Sequence, residues 1–365
     1  MNAVLAEKIG PNIDDLDAIR DLFIWEGSNV REAVESSWCN LGRAMRYELV
    51  NTSVVPWAER LLAYVRDEFP TVIDFRVDWS DAETGQHIFR GHRSHTVGGP
   101  LLALRRIPLV TPSLDELALP RWWRELFLQK EWALKGGLLL MSAPTGSGKS
   151  TTIAAVIKSR LQQFGGHTRT AEDPIELPLH GFVGNGICIQ HQVDAADPAL
   201  NWETTLHGMM RSYPASSDGA STLFVGEARD ETVAVELIRA AVNGHLVITT
   251  IHASDCASSI QRLVALAAVK MGDDMASGMV AQALRMVVHQ RLVDNPNPRA
   301  RGWQSKVVAG DILLSDGPTH PVAVTISSKE YRKLGAAVSS LSNKLGNRDP
   351  KTTSVEDLIA ETKQG

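Results

Sequence analysis

Residues 143–151, Ala-Pro-Thr-Gly-Ser-Gly-Lys-Ser-Thr, set two glycines, a lysine and several hydroxyls at a spacing suited to gripping an anion. Gly146 and Gly148 carry no Cβ, so successive backbone N–H groups can turn toward one phosphate. Lys149 adds a point charge for the β- and γ-phosphates, and Ser150 an oxygen for Mg²⁺. Ala143, Pro144, Thr145, Ser147 and Thr151 complete the candidate loop. Ala143 stands where the pattern G-x-x-x-x-G-K-[ST] has its first glycine, a position that tolerates a methyl better than the later glycines do.

Three further groups carry titratable side chains. In Leu223-Phe-Val-Gly-Glu-Ala-Arg-Asp230 an apolar run ends in Glu227, placed to hold Mg²⁺ through water or to polarise an attacking water. Glu172-Asp-Pro-Ile-Glu176 gathers Glu172, Asp173 and Glu176, acids that would repel an anionic ligand unless a cation lay between them. In Gly244-His-Leu-Val-Ile-Thr-Thr-Ile-His252 two histidines bracket an apolar strand. His252 falls at the strand end where open α/β sheets bind ligands, and His245 reads as structural.

The surrounding text supplies elements to position these groups. Apolar runs at 138–142, 168–171, 222–225 and 246–251 alternate with helical segments reaching 164 and 242, a rhythm that predicts a largely parallel sheet covered by helices. Upstream we expect helical character at 14–25, a strand near 45–50, a helix over 55–69, a strand over 73–78, a loop at 91–99 and a strand over 101–107. The proline-bearing stretch 109–120 reads as a linker with little core-forming capacity. Beyond 255 the pattern reads as helical, with Val280, Leu284, Val287 and Val288 on one face; 307–314 is a possible strand and 355–362 a terminal helix. The expected domains are 1–108, α/β; 109–120, linker; 121–254, a phosphate-loop core; and 255–365, helical.

At 365 residues, 44% apolar and 22% charged, the chain has the composition of an ordinary globular protein with room for two or three domains. A formal charge of −5 argues against nucleic acid as a direct ligand. No apolar run approaches the roughly 18 residues that span a bilayer. The first residues lack the order of a signal peptide, which predicts a cytoplasmic chain. Cys39, Cys188 and Cys256 form no C-x-x-C pair, which predicts a reducing compartment and no structural zinc.

Taken in order, Ala-Pro-Thr-Gly-Ser-Gly-Lys-Ser-Thr-Thr, Glu-Asp-Pro-Ile-Glu, Val-Gly-Glu-Ala-Arg-Asp, Gly-His-Leu-Val-Ile-Thr-Thr-Ile-His and His-Gln-Arg-Leu make the chain resemble the type II/type IV secretion ATPases. The resemblance runs from about residue 73 to 292. It implies a PAS-like N-terminal α/β domain joined to a RecA-like ATPase domain with a helical C-terminal subdomain. It also implies ATP and Mg²⁺ as ligands, a homo-hexamer, and an inner-membrane platform or secretion-complex protein as partner, with no transmembrane insertion of the chain itself.

By position, the resemblance makes Lys149 and Ser150 the phosphate and Mg²⁺ residues and Glu227 the catalytic acid. Glu172 and Asp173 fall in the Asp box and His252 in the His box. Arg76 and Arg105 fall on strands resembling those whose arginines reach the phosphates, with Arg90, Arg93 and Arg106 as alternatives. Without a four-cysteine insertion or an Ala-Ile-Arg-Asn-Leu-Ile-type ending, the chain resembles most the DotB/TraJ-like branch of type IVB secretion and conjugation. The text 210–220 is longer than the family's segment before the Glu227 strand; Arg211 and Pro214 are expected to keep its geometry. A nucleic-acid translocase with the same core is the competing reading.

Overall fold

Phe75, Val77 and Trp79 alternate with Asp74, Arg76 and Asp78, which dictates a strand with one buried face. A computed structural model, describing residues 19–26, 38–40, 47–49, 54–195, 197–213, 221–297, 299, 306–350 and 352–363, has that strand. The chain divides into two units, Met1–Val110 and Thr111–Gly365.

The first unit is an antiparallel sheet of β1 (Asp21–Trp25), β2 (Trp38–Asn40), β3 (Tyr47–Leu49), β4 (Asp74–Asp81), β5 (Gly85–Thr96) and β6 (Gly99–Ile107), in the order β3-β2-β1-β6-β5-β4. Helix α1 (Val55–Glu68), with Pro56 in its first turn, buries Trp57, Leu61, Leu62 and Val65 in one cluster with Leu22, Ile24, Val77, Phe89 and Leu102. On the other face Arg76, Arg90 and Arg105 stand in register across β4, β5 and β6, and Arg105 is in turn opposite Asp21 of β1.

Two expectations fail here. Residues 21–25 are a strand, not helix: burial alternates along Asp-Leu-Phe-Ile-Trp, and pairing with β6 and β2 uses both edges. Residues 14–18 lie outside the described residues. Residues 91–96 continue β5 instead of looping, because pairing to β4 as far as His92 and to β6 as far as Thr96 holds the backbone whatever its polar side chains prefer. Gly91 serves close approach: a Cβ there would meet the Phe75 ring at 2.3 Å.

The second unit begins inside the stretch expected as a linker. Leu114 is buried, Thr111 Oγ1 donates to the Pro178 carbonyl at 2.7 Å, and Val308 N–H donates to the Ala118 carbonyl at 2.9 Å. The expectation of a core-poor linker therefore fails over 111–118. Next come α2 (Trp123–Phe127), α3 (Lys130–Lys135), β7 (Gly137–Ser142), α4 (Lys149–Phe164), β8 (Gly166–Glu172), β9 (Gly181–Val183), β10 (Gly186–Gln192), α5 (Trp202–Arg211) and β11 (Ser221–Val225). The remainder is α6 (Glu231–Val242), β12 (Leu246–Ile251), α7 (Cys256–Met271), α8 (Asp273–Ala283), β13 (Leu284–Asp294), β14 (Lys306–Leu314), α9 (Pro321–Ser327), α10 (Leu334–Asn347) and α11 (Val355–Thr362).

Eight strands form one sheet in the order β14-β13-β7-β12-β11-β8-β10-β9, parallel from β13 to β10 and antiparallel at both edges. Cores lie on both faces. Leu138 and Leu140 of β7 enter one cluster with α6, α7 and α8, while Leu139 and Met141 enter the other with α2 and α4. Burial on both sides explains why β7 reads as an unbroken apolar run.

The same cause corrects the 255–365 region, which is not wholly helical. Residues 284–294 form β13 beside β7, and 306–314 form β14. Buried on both faces, β13 lacks a period of two, and its apolar residues fall at helix-compatible intervals from Val280. Among the described residues no helix is long and apolar enough to cross a membrane.

Candidate functional site

The loop after β7 is built to leave amides available. Gly146 and Gly148 have φ of 76° and 78°, in the left-handed region that only glycine adopts cheaply. Ala143 is buried and is not among the positive-φ residues, so its methyl needs no special backbone. Helix α4 starts at Lys149 with no side-chain cap, whereas Asn201, Asp230 and Asp255 each accept an N–H in the first turn of α5, α6 and α7. An uncapped helix start beside glycine-turned amides suits an anion. Pro144 and Thr145 are exposed, Ser147 is buried, and Ser150 and Thr151 are half-buried at the helix mouth.

Lys149 Nζ donates to the Ala143 carbonyl at 2.8 Å. Burial lowers its pKa, and Glu227 and Glu176 partly offset this by favouring the charged form. A desolvated ammonium held on its own loop's carbonyl has an electrostatic deficit that phosphate oxygens would fill.

Glu227 follows β11, its backbone pinned from both sides. Gly226 N–H donates to Ala171 O at 2.8 Å, Ala228 N–H to Thr250 O at 2.9 Å, and Thr250 Oγ1 to Gly226 O at 2.6 Å. Two basic side chains face its carboxylate: Arg229 Nε donates to Oε2 at 2.9 Å, and His252 Nε2 lies 3.5 Å from Oε1. Arg229 also donates to Asp173 Oδ2 at 3.1 Å and to the Asp173 carbonyl at 3.2 Å. Arg229 thus joins the acid after β8 to the acid after β11. His252 sits at the end of β12, its carbonyl accepting from Arg262 at 3.0 Å.

Glu172 ends β8 almost fully buried, accepting from Thr170 Oγ1 at 2.6 Å and Gln190 Nε2 at 2.9 Å. Burial raises its carboxyl pKa; the two hydrogen bonds act the other way. The fold therefore gathers the loop, Glu176, Asp173, Glu227 and His252 in the second unit, with Glu172 at the same strand end as Asp173.

The arginines belong to the first unit. Arg76 pairs with Asp78 at 2.9 Å and Arg105 with Asp21 at 2.8 Å. Arg93, one of the alternatives, forms a fork on Glu26 at 2.7 and 3.0 Å and donates to the Phe69 and Val72 carbonyls. Arg106 lies 3.1 Å from His87 Nδ1. His245 is half-buried, 3.4 Å from Ser221 Oγ. Arg211 ends α5, and Pro214 lies outside the described residues. Cys188 and Cys256 are free, buried thiols whose pKa values burial pushes up to about 12.

Sequence reading gave no role to Arg229 or Gln190. Arg229 stood two residues after Glu227 in the quoted motif, a usable signal. Gln190 lies on β10, which local pattern did not reveal.

Residues 96–347 match the family described as type II/IV secretion system protein. Over 245 residues the chain is 31% identical to the twitching motility protein of Neisseria gonorrhoeae, an alignment covering 67% of this chain and 59% of that protein. Among solved structures it is similar to the pilus retraction motor PilT with bound ADP, at TM-score 0.66 and 22% identity over 95% of this chain and 94% of the other. It is also similar to the ATPase DotB of Legionella pneumophila, at TM-score 0.63 and 19% identity over 88% and 85%. At these identities the structural likenesses show a shared fold.

Proposed function

Because the chain belongs to the type II/IV secretion system protein family, we propose that it is an ATP-hydrolysing motor of a type IV secretion, conjugative transfer or type IV pilus machine. The observation that carries this reading is Lys149, half-buried, lowered in pKa and held by a loop carbonyl beside Glu227 and Glu176. We further propose a cytoplasmic homo-hexamer, peripheral on the inner membrane through a platform or secretion-complex protein.

The residues present fit Mg·ATP. Residues 143–151 wrap the phosphates with backbone amides, and Lys149 moves from the Ala143 carbonyl to phosphate oxygens. Ser150 and, through water, Glu227 would be the protein oxygens that hold Mg²⁺, a small set suited to a cation that keeps most of its waters. When bound, Mg²⁺ neutralises charge on the β- and γ-phosphates. Glu227 orients the attacking water once its carboxylate turns from Arg229, and His252 reports the γ-phosphate position to that acid. Glu172, raised in pKa by burial, and Asp173, tied to Arg229, position the nucleophile's surroundings. Arg76 and Arg105 supply positive charge to neutralise that developing on the transferred phosphoryl group.

Phosphate release from Mg·ATP tests the reading. Lys149→Ala is expected to lower turnover by roughly 10²-fold or more, and Glu227→Gln to retain bound ATP while turning over at a comparable loss. Parent-like hydrolysis in either variant removes that residue from the site.

A further inference from the structure

The motif His289-Gln-Arg-Leu292 belongs to β13, and two of its residues address the two ends of the phosphate loop. His289 Nδ1 lies 3.0 Å from Oγ of Ser142, the last residue of β7 before the loop, and Ser142 Oγ also accepts from Ser259 Oγ at 2.7 Å. Gln290, fully buried, donates from Nε2 to the Ser147 carbonyl at 2.6 Å. Beneath Gly148, a Cβ would meet Leu292 Cδ1 at 3.1 Å and Gln290 Nε2 at 3.4 Å. The other polar atom of Gln290, Oε1, is buried with no hydrogen-bond partner. A carboxamide held half-satisfied in the interior is disfavoured by packing alone, so its one bond identifies what it is there for.

We propose that Gln290 is a positioning residue that sets the direction of the Ser147–Gly148 peptide plane in the phosphate loop. In a trans peptide the C=O and the following N–H point to opposite sides. Fixing the Ser147 carbonyl down onto β13 turns the Gly148 N–H away from β13. Glycine lowers the barrier to the opposite arrangement, because a flipped plane before Gly148 meets no Cβ. Flipped, the loop would present a carbonyl oxygen to an anion. Gln290 acts against that state: the flip breaks its bond to Ser147 and presents the Gly148 N–H in place of the carbonyl, which the carboxamide can meet only by turning over in a packed interior. The proposal rests on the nucleotide reading for its consequence, but the loop geometry it describes exists without nucleotide.

Two measurements on the full chain separate these levels. In Gln290→Met, which keeps the volume and removes the donor, hydrogen exchange of the amides of residues 146–149 without nucleotide is expected to accelerate about tenfold, while β7 and the later turns of α4 stay as in the parent. Unchanged loop exchange overturns the proposal whatever the nucleotide experiment shows. In ATP hydrolysis, if the competent loop falls to about a tenth of the population, KM rises about tenfold while kcat falls by less than about threefold. An equal loss in kcat with KM unchanged also overturns it.

Gln290→Glu supplies the control that volume alone would not move, and it carries the test if the methionine variant fails to fold. Its ionised carboxylate repels the Ser147 carbonyl, whereas its protonated form regains a donor. The KM of this variant, relative to the parent, is expected to fall as pH drops from 8 to 6; a parent-like KM at both values contradicts the proposal. A parent chain that neither binds nor hydrolyses ATP overturns the nucleotide reading, and loop exchange still decides the role of Gln290.

Discussion

The two units treat buried charge in opposite ways. In the first, Arg93 and Glu26 have side chains only 9% and 10% exposed, yet the guanidinium is matched by a two-point fork and two backbone carbonyls. Asp81 is likewise gripped by Arg60 at 2.7 and 2.9 Å and by Thr84, which holds its carboxyl well below the ordinary range. In the second unit Lys149 leans on a carbonyl, and Glu172 is pushed toward its neutral form by burial. Charge completed within the chain fixes structure. The Lys149 ammonium, desolvated with only a carbonyl against it, suits an anionic ligand.

Mutations can sharpen or break that contrast. The largest effect on stability is expected at Arg93, where alanine leaves Glu26 buried without its partner and costs about 3–5 kcal/mol in denaturant unfolding of the first unit. A loss under about 1 kcal/mol would mean that the pair is dispensable and Arg93 is available for another role.

Arg105 offers the reverse case, with a side chain 68% exposed. Arg105→Ala should change stability by no more than about 0.5 kcal/mol while lowering ATP turnover about tenfold or more. Undiminished turnover would return Arg105 to an ordinary surface residue and shift attention to Arg76 or Arg90.

The smallest effect concerns Glu172 and pH. Its raised folded-state pKa means the folded chain holds the proton more tightly than the unfolded one. That stabilisation is complete below the ordinary carboxylate value and is lost as pH rises through the raised one. Glu172→Gln, neutral throughout, should therefore melt higher than the parent at pH 8, with the difference narrowing toward pH 5. A gap that widens on acidification would place the carboxyl in an environment that favours its charge.

The loop, Glu227 and His252 were legible in the sequence because their signals are local: glycines before a lysine, and apolar strands ending in a titratable residue. Relations between strands were not. Gln290 and Ser147 are 143 residues apart, and only the insertion of β13 beside β7 brings them together. A period-based reading fails for a strand buried on both faces, so β13 reads as helix and the place of Gln290 shows only once the strands pair. In the first unit, the polar text from Gly91 to Thr96 carries no apolar signal, and pairing along β6 as far as Thr96 is what holds it extended.

The central claim is that Lys149 sits in a site whose electrostatics are incomplete without phosphate. Thermal unfolding of the full chain with and without Mg·ATP tests it directly. A ligand at 100 times its dissociation constant adds about 2.7 kcal/mol to the state that binds it. The parent should show a clear upward shift of the second unit's transition, and Lys149→Ala should lose it. An equal shift in both proteins, or none in the parent, would contradict the claim.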